Sequence, residues 1–279
     1  MKCEWLINNY QLKKFYLNRY GLSAIVFVLG LLALLPAVVL AQAPVSPTEA
    51  MRVANQNYEE GKFGEAVEVY ETMINAGVVD ETVYFNLGNA YYKQGDLGRA
   101  ILNYRRAQLL DPRDSAVAEN LTIARLQTLD QIDATNANPL SNLVQYVEEW
   151  LTLREAAVLA LFLWWVVSLF VVVAILSRRL RKTCLWVAAI LGIFLLAGIF
   201  SMGNRYYNRQ TTPEAVVVAA EVDVTSGPGS ADQYVIEFNL HSGAEVLITE
   251  QRPGWRNIAL PGNDFEGWVP VEAVEQIEF

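Results

Sequence analysis

Histidine occurs once and cysteine twice in the 279 residues of this chain. A lone His241 cannot assemble a histidine-based metal site or a hydrolytic triad; its setting, Leu240-His241-Ser242-Gly243, reads as a solvated turn. Cys3 lies in a basic N-terminal stretch and Cys184 opens an apolar segment, so residues 42–155 and 205–279 contain no cysteine. That excludes a disulfide framework, a thiolate metal site and a thiol redox sensor from both regions, and it suits an oxidising compartment. A Gly-rich phosphate loop, a His-Glu-x-x-His motif and a Gly-x-Ser-x-Gly elbow are also missing. Ser226-Gly227-Pro228-Gly229 stands among strand formers rather than before a helix. Glu59, Glu60, Glu65 and Glu68 read as a solvated helix face, with no cleft to pair carboxylates for glycoside chemistry. The expectation is a non-enzyme with no catalytic residue, metal or cofactor.

Positive charge is scarce and placed unevenly. The net charge is −9, yet residues 1–41 carry +3 and the six residues 177–182 carry +4, while 42–155 and 205–279 carry −8 each. Acidic soluble regions argue against a nucleic-acid partner. The basic stretches flank apolar runs at 20–41, 156–176 and 183–203. The latter two hold no charged residue and are long enough to cross a bilayer. By the positive-inside rule the N-terminus and the 177–182 loop are cytoplasmic, and 42–155 and 205–279 lie outside. Trp150, Trp186, Tyr206 and Tyr207 stand near the ends of these segments, as interfacial aromatics do, whereas Trp164 and Trp165 fall mid-span. Residues 1–41 fit either a signal peptide cut after Val39-Leu40-Ala41 or a retained anchor. Thr152-Leu153-Arg154-Glu155 reads as a capping box ahead of the first span.

A 34-residue period organises the first soluble region. Tyr58/Tyr92, Gly61/Gly95, Phe63/Leu97, Ala66/Ala100 and Tyr70/Tyr104 are each 34 apart, and Leu87, Gly88, Tyr91, Ala107 and Pro112 add to the second copy. The pattern resembles tetratricopeptide (TPR) repeats, here about 47–80 and 81–114. Gly88 and Ala100 are small where paired helices cross, and Gly95-Asp96 breaks one helix and starts the next. Ser46-Pro47-Thr48-Glu49 reads as the first helix start. Residues 115–129 are expected to form a capping helix with Ala118, Leu121, Ile123, Leu126 and Leu129 as its apolar stripe, and 131–139 a linker closing a 42–139 domain. Leu140, Leu143, Val144, Val147, Trp150 and Leu151 then follow helical spacing. Residues 140–155 fit an amphipathic interfacial helix or a further cap on the repeat. TPR resemblance implies a peptide-binding groove lined by Arg52, Asn55, Tyr58, Asn86, Asn89 and Tyr92, although the asparagines equally suit a structural role. Met51 stands where carboxylate-clamp repeats carry lysine, which argues against capture of a C-terminal carboxylate.

After Pro213 the pattern changes to short Val-, Ile- and Trp-rich runs at 215–220, 222–225, 245–250, 255–260, 267–270 and 274–277, with Gly and Pro between them. Val222-Asp223-Val224-Thr225-Ser226-Gly227-Pro228-Gly229, Leu240-His241-Ser242-Gly243-Ala244-Glu245-Val246, Gly254-Trp255 and Gly267-Trp268-Val269-Pro270 resemble bacterial SH3 domains, a small barrel over 204–279. Thr225 replaces an arginine usual in that family. Trp255 and Trp268 fit barrel plugs; the alternative is a ligand groove formed by Trp255 and Trp268 with Tyr234 or Phe238.

The resulting fold class is a multidomain membrane protein: an all-α TPR solenoid, a transmembrane hairpin (156–176 and 183–203 around the 177–182 loop) and a small all-β SH3-like barrel. This order resembles the BatE-type membrane proteins of aerotolerance operons. The resemblance implies protein partners such as von Willebrand factor A-type Bat proteins and, indirectly, a MoxR-type ATPase, with a scaffold role in envelope-stress tolerance at the bacterial inner membrane. The competing expectation is a cell-wall sensor or tether that grips peptidoglycan through the barrel. Small-residue spacing in the spans (Ala188, Gly192, Gly198) contains no strict GxxxG helix-pairing motif.

Overall fold

The computed structural model describes residues 48–130, 151–230, 232–262 and 265–278. The first apolar segment, the Ser46–Pro47 helix start, the 131–139 linker and residues 140–150 of the expected interfacial helix lie outside them. The described residues all belong to one unit, Ser46–Phe279.

Five helices open this unit: α1 (Thr48–Glu59), α2 (Phe63–Asn75), α3 (Glu81–Gln94), α4 (Leu97–Leu110) and α5 (Ser115–Arg125). Three starts are capped by aspartate. Asp80 accepts from the Thr82 and Val83 amides, Asp96 from Arg99, and Asp114 from Ala116 and Val117, each cap contributing about 1 kcal/mol. Gly95 ends α3 in the left-handed region, φ 82°, where a Cβ would cost energy. Close crossing explains Gly88: a Cβ there would lie 2.7 Å from the Tyr104 ring and 3.3 Å from the Ala100 carbonyl. The core joins Ala66, Tyr70, Leu87, Ala90, Ile101 and Tyr104.

Helix α5 forms where a cap was expected, but with a different inner face. Val117, Leu121 and Ala124 are buried, while Ala118, Ile123, Leu126 and Leu129 are exposed. The buried three stand 34 residues after Val83, Leu87 and Ala90, so α5 repeats the inward face of α3 instead of presenting a new closing stripe.

Helices α6 (Leu153–Leu176) and α7 (Arg181–Thr211) pack on each other as a hairpin. Both are long and apolar enough to cross a membrane. At 24 residues α6 spans about 36 Å, more than a hydrocarbon core of about 30 Å. Only 6% and 17% of their apolar windows are buried in the fold, so they are not the interior helices of a water-soluble core. The capping box forms: Thr152 Oγ1 accepts from the Glu155 amide, and Glu155 accepts from the Thr152 amide. Arg205 donates to the Leu151 carbonyl at 3.0 Å and ties α7 to the entrance of α6. Trp164 and Trp165 meet edge to face, with Trp165 still 44% exposed.

Seven antiparallel strands follow: β1 (Glu214–Val217), β2 (Glu221–Thr225), β3 (Ile236–His241), β4 (Glu245–Arg252), β5 (Trp255–Ala259), β6 (Glu266–Pro270) and β7 (Val274–Gln276), in the order β3-β2-β6-β5-β4-β1-β7. The end strands do not pair with each other, so the sheet is open rather than a closed ring. Its two ends nevertheless share one core, with Leu240 of β3 and Val274 of β7 in the same cluster as Val224, Ile248, Ile258 and Val269. Strand β3 runs through residues that the reading above left between strands and, at His241, as a turn. Its pairing with β2 carries a register shift between Val224 and Thr225 that skips Glu237.

The helical repeat and the sheet pack directly on each other. Val216 and Ile277 belong to the repeat's own buried cluster. The Gly98 amide donates to Ser242 Oγ at 2.9 Å, and a Cβ at Gly98 would stand 2.6 Å from the Val217 carbonyl. Arg106 donates to the Gln276 and Glu278 carbonyls. Arg125 engages both oxygens of Glu245, at 2.6 and 2.9 Å, and Arg105 pairs with Glu245 and Glu214. Asp130 accepts from the His241 amide and lies 3.1 Å from His241 Nδ1. His241 is therefore held between the two regions and is not a solvated turn residue.

Candidate protein-binding surfaces

On α1 and α3 the groove residues are joined by a repeating hydrogen-bond unit. Asn55 Oδ1 accepts from the Tyr70 phenol at 2.6 Å and from Asn86 Nδ2 at 3.2 Å. Asn89 Oδ1 accepts from the Tyr104 phenol at 2.8 Å and from Asn120 Nδ2 at 2.8 Å. Every member of the second unit stands 34 residues after its counterpart in the first. Each unit clamps the two helices of one repeat and the first helix of the next. Tyr70 and Tyr104 are each 1% exposed. Burial pushes the Tyr70 phenol up to about 12 and that of Tyr104 upward as well, so both remain donors at ordinary pH. Asn55 and Asn89 thus carry structural load through Oδ1, and their Nδ2 ends are what they can still offer a ligand.

The other groove residues differ in how far they are engaged. Arg52 is exposed but bonded to Glu49 and Gln56 along α1. Tyr58 meets Phe63 edge to face at 5.3 Å between centroids, and the Tyr92 hydroxyl accepts from Gln127 Nε2. Continuing the 34-residue spacing places Ile123 after Asn55 and Asn89, and Leu126 after Tyr58 and Tyr92. Both are exposed, at 40% and 68%. The face expected to form the groove therefore changes from amide and phenol on α1 and α3 to aliphatic at α5. Both residues were expected on the apolar stripe of a capping helix, although the repeat spacing that aligns them with Asn89 and Tyr92 is present in the sequence.

The four aromatic residues singled out on the sheet do not share one groove. Val224 and Val269 face the sheet core. Phe238 pairs with Val224 and so takes the core side, where its ring meets Phe265 at 6.0 Å. Trp268 is opposite Asn257 and Thr225 on the other face. Trp255, two positions from Asn257, shares that face, since alternate residues along a strand point the same way. The Arg252 guanidinium lies 4.7 Å from the Trp268 ring centroid, within cation–π range. Tyr234, 39% exposed, sits over Gly227 and Gly229, where a Cβ would overlap its ring. Thr225 is 2% exposed, with Oγ1 within hydrogen-bond distance of the Gly227, Gly229 and Trp268 carbonyls. At this position the side chain anchors the loop from inside.

Residues 82–114, which span α3, α4 and the turn after them, match the family model of the tetratricopeptide repeat. No curated protein matches the chain. The molecule thus combines a TPR-like helical region, two helices of membrane-spanning length and a C-terminal antiparallel sheet.

Proposed function

We propose that this chain is a non-catalytic, membrane-anchored adaptor that holds protein partners through the groove of its TPR region. The observation that carries this reading is the tetratricopeptide repeat at 82–114, whose groove continues into exposed Ile123 and Leu126. The apolar faces of α6 and α7 support insertion as a hairpin, because leaving them in water would oppose the hydrophobic effect. Direct packing of the repeat on the sheet supports both lying on one side of the bilayer, since the chain must cross an even number of times between them. The basic residues Arg178, Arg179, Arg181 and Lys182 at the hairpin tip favour a cytoplasmic tip and extracytoplasmic soluble regions. Strand spacing and motifs favour an SH3-like sheet. The order of the parts favours a BatE-type scaffold working with von Willebrand factor A-type Bat proteins and a MoxR-type ATPase at the inner membrane.

Cross-linked purification from membranes, comparing the unaltered chain with Tyr58→Ala/Leu126→Glu, tests the groove. Both residues are at least partly exposed, so the fold is expected to survive. Loss of a defined set of membrane proteins is the expected result; retention of the same set in the variant removes the groove from the function. The part-exposed Trp255, beside the Arg252–Trp268 stack, favours a second reading, a tether to peptidoglycan. Pull-down of the full chain on purified sacculi, abolished by Trp255→Ala, would select it.

A further inference from the structure

The repeat carries a second recess, on the side of α3 away from Asn86 and Asn89. A cavity of about 370 Å³ lies between α2, α3, α4 and the end of β7. Its inner wall is apolar and aromatic: Ile74, Leu87 and Leu102 with the rings of Tyr84 and Tyr91. Its rim bears the carboxylates of Glu71, Glu275 and Glu278.

Asn103, 2% exposed, lines this cavity. Its Nδ2 donates to the Arg99 carbonyl at 2.8 Å, which fixes the amide orientation, because a flip would set oxygen against oxygen. Oδ1 is buried and has no donor among the described residues. Two cations line the same cavity, and both are engaged in its walls. Arg99 pairs with Asp96 at 2.9 Å and lies over the Tyr91 ring. Arg106 donates to the carbonyls of Gln276 and Glu278. Glu71 accepts from the Tyr91 phenol through Oε1 alone, and Glu275 stands 3.8 Å from Arg106. Unspent capacity at the site is therefore mainly that of acceptors, and three carboxylates face two guanidiniums.

We propose that this recess binds a cationic group on an apolar stem, an ammonium or guanidinium whose N–H donors reach Asn103 Oδ1 and the rim carboxylates while its methylenes lie along Leu87 and Leu102. An anionic or donor-free ligand would leave the buried acceptor unmatched and meet the carboxylates. The chemistry is that of a lysine or arginine side chain, carried by a protein partner or by a small free molecule. The site is separate from the groove of the adaptor reading and stands or falls independently of it.

The test uses the full chain in lipid nanodiscs, titrated calorimetrically with Nα-acetylarginine amide and with Nα-acetylcitrulline amide, in which the α-amine is blocked and the side chain is neutral. The arginine derivative is expected to bind about tenfold tighter or better, as charge-assisted hydrogen bonds exceed neutral ones. Glu275→Gln, at a part-exposed position, should weaken it severalfold and leave citrulline binding unchanged, a selective loss that a folding defect cannot imitate, whereas Asn103→Leu, which removes the buried acceptor, should weaken both. Leu126→Glu should leave it unchanged. Equal binding of the two amides, no binding of either, or indifference to Asn103→Leu overturns the site and leaves a recess filled by water. Tighter binding of acetyl-Gly-Arg-Gly-amide than of Nα-acetylarginine amide assigns the cation to a partner's side chain. The reverse order assigns it to a free small molecule, and both outcomes keep the site.

Discussion

On the groove side of the repeat, Asn55 and Asn89 take one donor from a tyrosine 15 residues ahead and another from an asparagine 31 ahead. On the side packed against the sheet, Arg105, Arg106 and Arg125 find partners 109 to 172 residues away. The first set is uncharged and closed within the repeat, so it recurs at each 34-residue step. The second is charged and occurs where the chain returns from the hairpin. One architecture thus keeps a local, periodic stiffening device beside a non-local, ionic docking surface. The former should survive separation of the two regions, and the latter should fail first in salt, because exposed ion pairs are screened.

The largest effect expected is at the helix crossing. Gly88→Val drives a branched side chain into the Tyr104 ring and should cost about 3 kcal/mol, at the upper end for overpacking. Urea unfolding followed by circular dichroism measures it, and a loss below about 1 kcal/mol would mean the crossing yields. Next comes alkaline pH. The Tyr70 phenol is raised from 10.0 to about 12 in the folded state. Its contribution is therefore fully present below pH 10 and is lost as pH rises through about 12, a change of roughly 2.7 kcal/mol at most. Tyr70→Phe should flatten that part of the stability–pH curve, and an unchanged curve would separate the ladder from alkaline unfolding. The smallest effect falls on the docking surface. Glu245→Gln weakens two arginine contacts and should cost about 1 kcal/mol or less. Hydrogen exchange is the readout: faster exchange in β1 and β4, enhanced by salt, with α1–α3 unchanged. Uniform acceleration across α1–α5 would show that repeat and sheet unfold as one.

Some of this was open to inspection in the residues themselves. The Gly95-Asp96 break and the Thr152–Glu155 capping box were legible because each answers to neighbours within one or two turns of helix, and Gly88 opposite Ala100 because the 34-residue repeat fixes which helices cross. The apolar segments 156–176 and 183–203 were legible because length and apolarity are properties of a segment. Strand β3 was missed although Ile236-Glu237-Phe238-Asn239-Leu240 alternates; its pairing with β2 is irregular at Glu237 and Ile236 stays exposed, so only tertiary contact defines it. The stripe assigned to α5 was wrong by helical phase: Leu121 fits either choice, and what decides is the face of α4 against which α5 packs.

The sequence by itself determined the 34-residue helical repeat, the two membrane-length helices and the strand-rich end, since periodicity and composition act over distances that one segment contains. Only the tertiary structure decided that His241 meets Asp130, that Gly98 must admit Ser242, that Phe238 and Trp268 take opposite faces, and that Asn103 is buried beside a cavity. Those outcomes depend on which surfaces come together after a hairpin of more than fifty residues. No local preference encodes that meeting; shape, buried apolar area and complementary charge select it when the whole chain folds.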